Sequence, residues 1–144
     1  MSIRQKAADS RRKERRVRDE MKWKRIYICS PLRADSYPNM LRNMNKAQNY
    51  IEIAKARHNC RVVAPHSYMP FILDDNDPDE RALALDFGKK LLELCDVVFV
   101  CGDVISEGMR GEILHAAKLG LPIKTLYNAP KMKAAIQTII DEMN

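Results

Sequence analysis

Residues 96–101 read Asp-Val-Val-Phe-Val-Cys, the most apolar strand-like run in the chain. A stretch with no polar alternation has no face to give to water, so it belongs in the middle of a parallel sheet covered on both sides. Working outward, Gly102 to Glu107 is expected as a loop and Gly108 to Leu119 as a helix stopped by Gly120 and Pro122. Pro122 to Tyr127 reads as a strand, and Lys131 to Met143 as a closing helix with Met132, Ala135, Ile136, Ile139 and Ile140 on one face. Upstream, Pro78, Asp79 and Glu80 suit a helix start running to about Cys95. Before it come a long polar and aromatic loop, His66 to Glu80, and a strand, Arg61 to Ala64, closed by Pro65. Leu41, Met44, Ala47, Ile51 and Ala54 recur with helical period over 41–56, and Arg25 to Cys29 is a first buried strand ended by Ser30-Pro31. The alternation of strand and helix implies a parallel sheet with right-handed crossovers and helices on both faces.

The chain has 144 residues, 46% apolar and 31% charged, enough for one domain that buries a core without metal or disulfide staples. No apolar run has the length of a membrane span or a signal peptide, so membrane insertion and secretion are not expected. Cys29, Cys60, Cys95 and Cys101 match neither a zinc framework nor a redox dithiol and read as buried, reduced thiols of a cytoplasmic protein.

The net charge of +6 is unevenly placed. Residues 1–25 hold eleven basic and four acidic groups, +7, whereas the rest of the chain balances at −1. Residues 1–24 are therefore expected as a basic N-terminal helical arm, and 25–144 as the α/β domain. With almost no apolar residues before Met21 and Trp23, the arm reads as a solvated helix or frayed tail, an arm reaching a neighbouring subunit, or a nucleic-acid handle through residues 4–25.

Ligands of open α/β sheets bind beyond the carboxyl ends of the strands, here the loops Ser30–Asn39, His66–Glu80 and Gly102–Met109. The absence of a phosphate loop and of GxGxxG argues against an ATPase or a dinucleotide oxidoreductase. What remains is SEGMRGEI, 106–113, with Ser106 able to cap the helix and Glu112 near its first turn, where the positive pole keeps a carboxylate ionised. His115 stands too alone for a metal ligand, the acids at 74–79 lack the spacing of a calcium loop, and His58 is expected on the surface. Neither metal nor cofactor is expected.

Together IYICSPLR, the Asn43-xxx-Ala47-xx-Tyr50 helix, VVAPH at 62–66, LDFGKKLLELCDVVFVCG at 85–102 and ISEGMRGEI at 105–113 resemble the nucleoside 2-deoxyribosyltransferase-like superfamily, particularly its small phage and bacterial members. The resemblance covers roughly residues 25–127 and implies a flavodoxin-like, Rossmann-like parallel sheet. It implies that Glu112 is a nucleophile toward the anomeric carbon of a (deoxy)nucleoside or its 5′-monophosphate, forming a glycosyl-enzyme resolved by water or a second base. Tyr27, Ser30, Pro31, Arg33, His66, Ser106, Gly108 and Met109 are the implied substrate-binding residues, with Arg33 as holder of a 5′-phosphate. The family's second catalytic acid, about eight residues before Asp96, falls on Gly88; Asp86 is two residues away, about 200° around a helix, and stands open as catalyst or as solvent-facing acid. That departure keeps a second reading in view, a nucleotide-binding or nucleotide-sequestering protein, phage-encoded and working in the host cytoplasm. The resemblance also implies a homo-oligomer.

Overall fold

The computed structural model describes residues 1–20 and 22–143, without the side chains of 14–20. Met21 and the side chains of Arg15, Arg16 and Arg18, which carry part of the expected basic handle, lie outside the described residues. The elements are α1 (Ile3–Glu20), β1 (Arg25–Cys29), α2 (Tyr37–Arg57), β2 (Arg61–Val63), α3 (Pro78–Glu93), β3 (Val97–Val100), α4 (Glu107–Lys118), β4 (Ile123–Thr125) and α5 (Pro130–Asp141). The four strands are parallel in the order β2-β1-β3-β4, so DVVFVC is central, beside β1.

Strand alternation sorts the core into two layers. Ile26 and Ile28 of β1 and Val97 and Phe99 of β3 pack with Ala54 of α2 and Leu126. Tyr27 and Cys29, with Val98 and Val100, pack on the opposite face against Leu92 and Cys95, Met109, Ile113 and Ala116 of α4, and Met132, Ile136 and Ile139 of α5. Tyr27 is thereby aimed at α4, and this single register decision puts a phenol beside the SEGMRGEI helix.

Three local readings change. α2 begins four residues earlier than its apolar period, because Ser36 caps it, accepting from the Asn39 amide at 3.3 Å, and Pro38 is tolerated in the first turn. The loop after β2 is structured by two 3-10 turns, Pro65–Ser67 and Met69–Phe71. Its prolines remove amide donors that would be orphaned in such short turns. His58 is buried rather than exposed, its ring tilted against Phe99 with centroids 5.5 Å apart.

α3 is lightly held: of its described residues only Leu92, near the carboxyl end, is buried. Leu83, Leu85 and Phe87 remain 57%, 53% and 42% exposed. Trp23, joining α1 to β1, takes φ +65° and stands 68% exposed, its amide donating to the Asn59 carbonyl at 2.7 Å. Cys29, Cys95 and Cys101 are buried and Cys60 half-buried, all as free thiols. Among the described residues no helix is long and apolar enough to cross a membrane.

Candidate active site

Beyond β1, between α3 and α4, lies a cavity of about 430 Å³. Tyr27, His66, Gly108 and Glu112 line it, together with Met69, Leu85 and Gly88. Ser106 starts α4 as expected, its hydroxyl accepting from the Met109 amide at 3.2 Å. Because α4 begins at Glu107, Glu112 sits in the second turn, not the first. The helix's positive pole acts over the first turn, so it is not what governs this carboxylate.

Burial governs it instead. The Glu112 carboxyl is raised above its ordinary pKa by desolvation, and the nearby His66, Tyr27 and Cys29 pull it partway back. His66 Nε2 lies 3.3 Å from Oε1. Oε2 is buried and, among the described residues, makes no hydrogen bond of normal geometry, although the Tyr27 hydroxyl and the Cys29 thiol lie near enough to favour the carboxylate. Burial first, and Glu112 second, push both the Tyr27 hydroxyl and the Cys29 thiol well above their ordinary values, so both stay protonated beside it.

The histidine's tautomer follows from its other nitrogen. Nδ1 lies 2.7 Å from the Ser30 carbonyl, which can only accept, so Nδ1 carries hydrogen and donates. In the neutral ring Nε2 then offers a lone pair to Glu112. A proton placed between Nε2 and Oε1 gives imidazolium with carboxylate, or imidazole with carboxylic acid.

The remaining sequence candidates are placed as follows. Ser30 is buried and contributes its carbonyl to His66, while its hydroxyl has no partner. Met109 is fully buried and belongs to the core. Pro31, Arg33 and Ser106 border a separate, smaller cleft of about 280 Å³ with Tyr50 and Gly102. Arg33 does not line the Glu112 cavity; it pairs with Asp75 at 3.8 Å. Asp86 is also absent from the lining, 57% exposed and paired with Lys90 at 3.1 Å across one helical turn, because the two-residue offset turns it away from the face that bears Gly88. At Gly88 an added Cβ would sit 3.7 Å from the Tyr27 hydroxyl, ordinary contact, so the missing acid leaves open room next to that phenol.

Sequence reasoning missed Arg81 and Lys89, which line the cavity from α3, and Arg110, which lines it from α4 and is paired with Glu142. A signal existed: Arg81, Ala84, Leu85, Gly88, Lys89 and Leu92 follow one helical period, so the face that seats Leu92 must carry the rest toward the cavity. Among the described residues no group of three or more His, Cys, Asp or Glu is arranged to hold a metal ion.

Residues 24–126 match the model of a family described as a domain of unknown function, DUF7768. The chain belongs to the DUF7768 family. No curated protein matches it. Among solved structures, a 2-deoxyribosyltransferase from the psychrotolerant bacterium Bacillus psychrosaccharolyticus has the same fold, with a TM-score of 0.50 and 19% identity over 69% of each chain. The structural likeness expected from the sequence motifs is thus found, and at that identity it is a likeness of fold. The DUF7768 segment spans β1 to Leu126 and so includes every residue that lines the Glu112 cavity.

Proposed function

We propose that this DUF7768 protein cleaves or transfers the N-glycosidic bond of a (deoxy)nucleoside or its 5′-monophosphate, with Glu112 as nucleophile and His66 as acid and base. The observation that carries the reading is the buried Glu112 carboxyl, 3.3 Å from His66 at the wall of a cavity of nucleoside size, with Oε2 left unpartnered among the described residues. A buried acceptor without a partner costs about 1–3 kcal/mol, more if charged, and persists where function needs the lone pair.

The steps balance on this pair. With the shared proton on His66 Nε2, the Glu112 carboxylate attacks the anomeric carbon, and the C–N electron pair leaves with the base, which takes the proton from Nε2. The glycosyl ester is then attacked by water, whose proton returns to Nε2; attack by a second base gives transfer instead. The Ser30 carbonyl holds the ring in the required tautomer. Tyr27, kept protonated by burial, fixes the carboxylate's rotamer. Arg81 and Lys89 suit a 5′-phosphate at the cavity rim, the task the sequence had given to Arg33.

Incubation with deoxynucleosides and their 5′-monophosphates, with and without a second base, reads base release by chromatography. A glycosyl adduct on Glu112, found by mass spectrometry, supports the reading. No release from any substrate, with Glu112→Ala indistinguishable from wild type, refutes it. The solvent-facing placement of Asp86 favours one alternative, a nucleotide-sequestering pocket without turnover, which calorimetry would reveal as tight binding of intact nucleotide.

A further inference from the structure

On the opposite side of β4 from β3, a second groove of about 700 Å³ runs between β4 and α5. Lys13 of α1, Lys124 of β4 and Lys133 of α5 all border it, with Asn128 and Gln137, and among the described residues no carboxylate lines it. Tyr127 lines it as well, 42% exposed, with the Arg57 guanidinium over its ring at 5.2 Å. The adjoining arm is built for water: none of the described α1 side chains is buried, and Arg4, Lys6, Arg11, Arg12 and Lys13 are all exposed. Asp9, 4.0 Å from Arg12, is the single acid among residues 1–13.

We propose that α1 and the β4–α5 groove form a binding surface for single-stranded nucleic acid, phosphates resting on Lys13, Lys124 and Lys133 with Arg4, Arg11 and Arg12 of the arm, and a base stacking on Tyr127. A convergence of lysines without an acid is a field that asks for a polyanion. An exposed aromatic amid those cations distinguishes a strand with free bases from a duplex, because stacking needs an unstacked partner. α1 lacks the apolar stripe that an anionic membrane would require, Ile3 being its one large aliphatic residue before Arg16. A second copy of the chain is a weaker occupant, since residues 26–144 are close to neutral and Asp75, in their one acidic run at 74–80, is already paired with Arg33.

The test uses the full chain and a fluorescein-labelled dT20, read by anisotropy between 50 and 200 mM NaCl. Six phosphate contacts at a slope of about −0.7 each predict an affinity loss of roughly 300-fold over that range. The K13Q/K124Q/K133Q variant should bind more weakly and flatten the salt slope by about 2. Tyr127→Ala should weaken binding by about 5- to 150-fold, with Tyr127→Phe close to wild type. Circular dichroism checks that each variant is folded, and Lys118→Gln, exposed and outside this surface, should bind dT20 normally. Salt-independent binding, an unchanged affinity in the triple-lysine variant, or vesicles containing phosphatidylserine bound in place of dT20 would overturn the proposal. Preference for a duplex of the same length with no effect of Tyr127→Ala would overturn the single-strand assignment. Because base release is measured separately, loss of this surface and failure of the Glu112 chemistry are distinguishable outcomes.

Discussion

Replacing Glu112 with glutamine should make the protein more stable while removing its proposed chemistry, and the gain should grow with pH. The carboxyl has a raised pKa in the fold. Below the unfolded value, about 4.3, both states are protonated and its ionisation contributes nothing to the difference. As pH rises through that value toward the raised folded one, the unfolded chain releases its proton first, so the wild type loses stability across that window; the loss is complete above the folded pKa. Glutamine has no such proton to lose, and its amide can donate to the His66 Nε2 lone pair, keeping that nitrogen satisfied. The side chain as a whole is only 16% exposed and Oε2 is out of reach of water, so solvent does little to soften the burden. The amide oxygen takes the place of Oε2 without its charge, and because an unsatisfied buried group costs more when charged, that relief is worth about 1–2 kcal/mol. With an unfolding entropy near 0.3 kcal/mol/K for 144 residues, that is a Tm increase of about 3–6 °C at pH 8, shrinking toward zero at pH 4. Thermal melts of both proteins at pH 4, 6 and 8, followed by circular dichroism, measure it. A variant less stable than wild type at pH 8, or a difference that does not vary with pH, would refute the account of Glu112 as a carboxylate held at a cost.

Gly88→Asp should fold, since its Cβ meets only the Tyr27 hydroxyl at 3.7 Å, and should raise the rate of base release at least about tenfold by returning an acid to the cavity; chromatography under identical substrate panels checks it. Gly102→Ala should cost about 1–2 kcal/mol, because φ +98° suits glycine, while the new Cβ would make only ordinary contact with Pro31 and Tyr50 at 3.6 Å; urea denaturation should show a lower midpoint at unchanged slope. Trp23→Asn should stabilise by about 0.5–1 kcal/mol in the same assay, since asparagine tolerates a left-handed φ better and the indole, 68% exposed, gives up little burial.

The fold could be read because its strands announce themselves: RIYIC and DVVFVC are dominated by apolar residues, and a proline or glycine, Pro31 or Gly102, follows each. Glu112 was also readable, through the cap at Ser106 and the SEGMRGEI pattern. What surrounds Glu112 was not. Its contact with His66 joins positions 46 residues apart, and nothing in either local pattern encodes that the Ser30 carbonyl would fix the imidazole between them. The surroundings of Arg33 were hidden for a related reason. A cation after a strand looks available to a ligand until Asp75, in a distant loop, takes it. The dominance of desolvation over the helix pole at Glu112 likewise depends on depth, which α3 supplies from another part of the chain.

The way α3 is fastened has a mechanical corollary. Its one buried anchor, Leu92, lies near the carboxyl end, whereas the residues that wall the cavity, from Arg81 to Lys89, belong to the preceding turns. The helix is in effect a cantilever whose free end closes over Glu112. Tilting it outward uncovers few apolar side chains and leaves the sheet untouched, so a ligand can enter and leave the cavity without any loosening of the scaffold that aims Tyr27.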